Sequence, residues 1–120
     1  MKKKITFCFD LDNTICKTKG KDYSRSKPKR EVIKLINNLY KSGHIIKINT
    51  ARYMGRNSDN IAKSNKQGLK KTHKQLIKWG LKFNKLEISK LSADIYIDDK
   101  SFGYNNSWKK KFKKYIKTDV

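Results

Sequence analysis

Asp10 and Asp12 follow directly on the apolar run Lys4-Ile-Thr-Phe-Cys-Phe9, with Asn13 and Thr14 behind them. Residues i and i+2 of an extended segment project the same way, so the two carboxylates face one side of the chain. One of them can attack an electrophilic phosphorus while the other handles the leaving-group proton. A second acidic pair, Asp98-Asp99, follows Ile95-Tyr-Ile97. Acids collected at strand ends in a chain of formal net charge +21 call for a positive counter-charge. A divalent cation is the simplest one, and oxygen-only ligands point to Mg²⁺ rather than zinc. The plainer reading of Asp10 and Asp12 is a pair of turn-forming acids after a strand.

These acids need elements to hold them. The run Lys4–Phe9 is apolar at both alternating positions, which predicts a central strand of a parallel sheet covered on both sides. Residues 16–28 are polar and turn-rich and read as a loop or small flap, with Pro28 where a helix can begin. Val32, Ile33, Leu35, Ile36, Leu39 and Tyr40 then recur at helical spacing, and Gly43 closes that helix. His44–Ile48 is a second strand leading into Asn49, Thr50, Ala51 and Arg52. After a polar stretch over 53–66, a helix is expected at about 67–79, stopped by Gly80. Leu86–Ile88 is a short third strand and Ile95–Ile97 a fourth. Trp108, Phe112, Tyr115 and Ile116 share one face of a closing helix, about 106–117, that packs on the sheet. The alternation predicts a single α/β domain over 1–120 with a three-layer, Rossmann-like parallel sheet. In such sheets ligands bind outside the carboxyl ends of the strands, where the acids lie.

With those residues in order, the chain resembles the haloacid dehalogenase superfamily of phosphatases from Ile5 to about Lys100. Phe9-Asp10-Leu11-Asp12-Asn13-Thr14 matches the family's hydrophobic strand followed by Asp-x-Asp-x-Thr. The resemblance makes Asp10 the nucleophile that forms an aspartyl-phosphate and Asp12 the general acid/base. Ile46–Thr50 matches the strand whose terminal Thr binds the phosphoryl group, and Lys90 the lysine that steadies the phosphate and nucleophile charges. Leu91 stands where many relatives carry proline. Tyr96-Ile-Asp98-Asp99 matches the metal-binding motif. By this likeness Asp10, Asp12, Thr50 and Lys90 are catalytic, Thr50, Ala51, Arg52 and Lys90 bind substrate, and Asp10, Asp12, Asp98 and Asp99 hold Mg²⁺. The implied activity is hydrolysis of a phosphomonoester by double displacement. Thirty-seven residues separate Asp12 from Thr50 and thirty-nine separate Thr50 from Lys90, so neither gap holds an inserted cap domain. The run Thr50-Ala-Arg-Tyr-Met-Gly-Arg56 with Tyr96–Lys100 is similar to a short subgroup associated with capsule or surface-polysaccharide synthesis, which implies a sugar phosphate or nucleotide-linked substrate.

Arg52 and Arg56 are candidates to touch a second anionic or polyhydroxyl part of a substrate, and Tyr23 and Tyr53 to stack on a base or sugar. His44 and His73 have no catalytic partner pattern. The charge favours anionic partners. Only Arg25, Arg30, Arg52 and Arg56 among the 31 basic residues are arginine, and a Lys/Ile/Asn bias also arises from an AT-rich genome. Base readout leans on arginine forks and interleaved aromatics, so nucleic acid is an allowed but not favoured partner. Action on nucleic-acid ends and a noncatalytic polyanion-binding module are the competing readings. Cys8 and Cys16 match no zinc or disulfide framework. The apolar stretch after the first lysines is too short for a signal peptide and no run approaches a membrane span, so a cytoplasmic location is expected. Assembly into a homo-oligomer is left open by the sequence.

Overall fold

Strand residues alternate between two faces, and most of the apolar ones here fall on one. In the computed structural model, which describes residues 3–103, 105 and 107–119, β1 (Thr6–Phe9) turns Phe7 and Phe9 inward while Thr6 and Cys8 are exposed. Two short strands, β2 (Cys16–Lys17) and β3 (Lys27–Pro28), form an antiparallel ribbon closed by a 3₁₀ turn at Tyr23–Arg25. They build the flap expected at 16–28. Helix α1 (Arg30–Lys41) follows, then β4 (Ile45–Thr50), a 3₁₀ turn at Gly55–Asn57, α2 (Ile61–Lys78), β5 (Lys85–Ile88) and α3 (Trp108–Asp119). The closing helix was expected from residue 106, which lies outside the described residues.

The main sheet has the order β1-β4-β5 and is parallel throughout. Phe9 stands opposite Ile48, and Thr50 opposite Ile88, so the three strands end on one edge. Parallel neighbours require crossovers, and α1 and α2 supply them. α1 buries Val32, Ile33, Leu35, Ile36 and Leu39. Its outer end is stitched to the end of α2: Arg30 Nη1 donates to the Trp79 carbonyl (2.7 Å) and Asn37 Nδ2 to the Gly80 carbonyl (2.9 Å). Phe112 of α3 packs edge-on against Phe7, with ring centroids 5.5 Å apart. Lys109 is paired with Glu31, which holds the Glu31 carboxyl below the usual glutamate range. His44 sits in the core, with Nδ1 accepting from the Ile5 amide at 3.0 Å.

β1, expected to be a central strand, lies at the edge of the β1-β4-β5 order, and two further expectations differ from what is observed. Helices cover the face that carries Phe9, Ile46, Ile48 and Ile88, whereas Thr6, Cys8, Lys47, Lys85 and Glu87 leave the other face exposed. The polar residues of β4 and β5 explain this, since Lys47, Lys85 and Glu87 cannot be buried without matching partners. The second difference concerns Ile95–Ile97, which is not a strand; Ile95 and Ile97 are 78% and 96% exposed. Acids flank it on both sides, and its centre is tied locally. Tyr96 donates to the Leu91 carbonyl, and its ring lies under the Lys90 ammonium, 4.3 Å from the centroid. Among the described residues no helix is long and apolar enough to cross a membrane.

Candidate functional site

The chain leaves β1 by wrapping around one carbonyl. The amides of Thr14, Ile15 and Cys16 all point to the Leu11 carbonyl (3.2, 2.9 and 3.3 Å), and Leu11 itself is fully buried. So tight a turn needs a left-handed residue, and Asn13 supplies it at φ 64°. Asparagine tolerates that region because its short polar side chain bonds locally. Here Asn13 Oδ1 accepts from the Thr18 amide (3.1 Å). The turn holds Asp10 at the strand edge with both oxygens addressed. Thr14 Oγ1 donates to Oδ2 (3.1 Å), and Lys90 Nζ lies 3.5 Å from Oδ1. Lys90 is aimed there by its own backbone, whose amide donates to the Thr50 carbonyl at 3.3 Å. The ends of β1, β4 and β5 thus place Lys90 beside Asp10 through its side chain and beside Thr50 through its backbone. Thr50 is 1% exposed, and its hydroxyl accepts from the Arg52 amide (3.2 Å), with Ala51 half-buried between them.

Asp12 has a different setting. Its Oδ1 accepts from Thr18 Oγ1 (2.6 Å), Arg52 Nη2 (2.8 Å) and Arg52 Nε (3.1 Å), while Oδ2 takes only Arg52 Nε (2.9 Å). Arg52 is 2% exposed, and Nη1 donates to Gln75 Oε1 (2.7 Å). Nη2 also reaches Ser26 Oγ at 3.3 Å. Every guanidinium nitrogen therefore has a protein acceptor. Arg52 clamps the motif turn, the flap and α2 to one another instead of lying free as a loop cation. Gln75 completes the clamp by donating from Nε2 to the Tyr23 carbonyl (2.7 Å). Cys16 lies beneath this cluster, and burial pushes its thiol above the usual cysteine range, which removes it as a nucleophile near neutral pH.

Beyond Arg52 the loop is held in an unusual backbone. Tyr53 has φ 68°, a region that bulky side chains avoid. Its carbonyl accepts from Asn57 Nδ2 (2.8 Å) and Ser64 Oγ (3.1 Å), and its ring lies flat on α2 at Gly68. A Cβ on Gly68 would sit 1.9 Å from Tyr53 Cε2. Tyr23 and Tyr53 meet at 5.1 Å between centroids, with Arg52 over the first (4.8 Å) and Arg56 over the second (4.9 Å).

Sequence reading gave no role to Thr14, Thr18, Ser26, Gln75 or Gly68. A glycine inside a helical pattern was the one usable signal, because it implies close backbone approach. Thr18 and Ser26 sit in a segment whose composition says only that it turns.

Among the described residues no hydrogen bond or ion pair joins Asp98 or Asp99 to Asp10, Asp12 or Lys90. Asp98 and Asp99 are both exposed on the irregular segment after β5, and Asp98 Oδ1 accepts from the Lys100 amide at 2.8 Å. Among the described residues no three His, Cys, Asp or Glu side chains gather where a metal ion could sit. Arg52 engages only the side-chain oxygens of Asp12, whose expected contribution to a Mg²⁺ site is its backbone carbonyl.

The chain is similar to a solved crystal structure of an MCSG target from Vibrio cholerae, with a TM-score of 0.77, 23% identity and 100% of both chains covered. No family model and no curated protein matches the chain. The likeness at this identity shows the fold alone: a small α/β chain with three parallel strands and three helices among the described residues.

Proposed function

We propose that this chain is a phosphatase of the haloacid dehalogenase type, in a minimally capped form, hydrolysing a phosphomonoester through an aspartyl-phosphate on Asp10. The observation that carries the reading is the setting of Asp10. It is a half-buried carboxylate at the carboxyl edge of a parallel sheet, with Lys90 Nζ 3.5 Å from one oxygen and Thr14 donating to the other. A ligand phosphoryl group arriving there meets a nucleophile whose orientation is fixed and a lysine able to offset charge on its oxygens. Thr50, at the end of the neighbouring strand, adds a hydroxyl on the same edge.

In the reaction so derived, an Asp10 oxygen forms a bond to phosphorus as the bond to the leaving oxygen breaks. Asp12 passes a proton to that oxygen and then takes one from the water that cleaves the acyl phosphate. Oδ2 is the less committed oxygen for this role: it accepts from Arg52 Nε alone, whereas Oδ1 accepts from Thr18 and from two nitrogens of Arg52. Mg²⁺ belongs to the proposal through the family resemblance alone. A sugar phosphate or nucleotide-type metabolite is the proposed substrate class.

The test is turnover of an aryl phosphate and of a panel of phosphorylated metabolites, with and without Mg²⁺. Wild-type protein is expected to release phosphate, and Asp10→Asn to lose more than about 10³-fold in rate. Absence of turnover across the panel with Mg²⁺ present overturns the reading. It would leave the net charge of +21 to speak for a polyanion-binding module.

A further inference from the structure

Lys71, Lys74 and Lys78 stand three and four residues apart on α2, and so form one stripe along that helix. Together with Tyr23, Tyr53 and Arg52 they line a cavity of about 380 Å³ between the flap and α2. Three lysines and the Asp12-paired Arg52 line it, and no acid does. Among the described residues, none of the three ammonium groups has an ion pair or hydrogen bond. The nearby Asp22 is paired with Arg25 instead. Thr72 lines the same cavity, is 1% exposed, and its hydroxyl has no hydrogen-bond partner. A buried hydroxyl left in that state calls for an acceptor, and a ligand oxygen would be one.

The aromatic rings argue against a stacked base. Arg52 lies over Tyr23, Arg56 lies over Tyr53, and the Tyr53 ring also rests on Gly68. What the cavity presents is positive charge, and its volume falls in the range of small-molecule sites and well above the needs of one bare phosphate (sites run from roughly 300 Å³). Arg52 both borders the cavity and holds Asp12, so the cavity adjoins the candidate active centre.

We propose that this cavity is a second anion subsite, taking a second phosphoryl group of a small ligand that carries at least two. As a statement about the substrate it rests on the phosphatase reading; as a statement about binding it does not. Pyrophosphate is the probe, with orthophosphate as its single-group control, titrated calorimetrically at about 0.15 M salt, where screening acts beyond roughly 8 Å. Lys71→Gln/Lys74→Gln/Lys78→Gln is expected to weaken pyrophosphate by about tenfold or more and orthophosphate much less. Lys110→Gln/Lys113→Gln/Lys117→Gln removes the same charge at the same spacing from α3 and is expected to change binding by less than about twofold. Equal loss in the two triple variants, loss in neither, or no binding of pyrophosphate to the wild type overturns the subsite. Binding is read without turnover, so failure of the phosphatase reading leaves the result standing.

Discussion

Asp12 and Arg52 show how much a residue's role depends on what reaches it. Arg52 uses Nε, Nη1 and Nη2 on acceptors from three parts of the chain, a task a lysine ammonium cannot repeat from one point. Its guanidinium positions Asp12 and does not lie open to a ligand. Arg52→Lys is therefore expected to lower kcat well beyond any change in KM, because Asp12 loses its orientation while Asp10 and Lys90 still bind phosphate. Stability should fall by about 2–4 kcal/mol, less than for a fully buried pair because the Asp12 side chain keeps 20% of its surface. Urea melts and steady-state kinetics check both, and unchanged kcat with unchanged stability would return Arg52 to a loop cation. Asp10 and Asp12 stood out in the sequence by their strand-end position and spacing, whereas Thr50 and Lys90 were singled out by the family likeness alone. The partner of Asp12 was not legible, since Arg52 lies 40 residues away and is chosen by tertiary packing.

Gly68 carries the same lesson for a whole element. Reading α2 from about 67 placed its start too late, because Lys63-Ser-Asn-Lys-Gln67 looks like loop. Those residues are helical because Asn60 caps them, accepting from the Lys63 amide at 3.0 Å, and because Ser64 and Gln67 bond back to the Tyr53–Asn57 loop. The α1 and β4 positions followed from apolar periodicity, which burial enforces directly. Ile95–Ile97 reads as a strand by the same rule, but three residues between acids leave little to pair, and Lys90 and Leu91 capture its tyrosine instead. Helix propensity alone would make Gly68→Ala stabilising by about 1 kcal/mol. With a Cβ 1.9 Å from the Tyr53 ring, we expect a loss of about 1–3 kcal/mol in its place. In a Tyr53→Ala background the sign should reverse, since the obstacle is gone and the propensity gain remains. Denaturant midpoints of the four proteins decide it. Additive effects would mean that Tyr53 moves aside freely and that its left-handed backbone is not held by α2.

At the scale of the whole molecule the dominant fact is 31 basic residues against 10 acidic ones on a body of 43 × 31 × 24 Å. At about 0.01 M salt the screening length is roughly 30 Å, so lysines on opposite sides of the molecule repel one another. At about 0.15 M it shrinks to roughly 8 Å, and only neighbouring charges interact. The unfolded chain spreads the same charge over a larger volume, so repulsion falls mainly on the folded state. The ion pairs Lys85–Glu87 and Asp22–Arg25 are exposed and contribute little in the opposite direction. The melting temperature is therefore expected to rise by about 3–6 °C between those two salt concentrations, corresponding to about 1 kcal/mol. The lysine wall of α2 should contribute more than its share, because Lys71, Lys74 and Lys78 face a common cavity without an acid beside them. Replacing those three with glutamine should shorten the salt-dependent rise more than the matched change on α3. A flat or falling melting temperature with added salt would mean that local pairs, not net charge, set the stability of this fold.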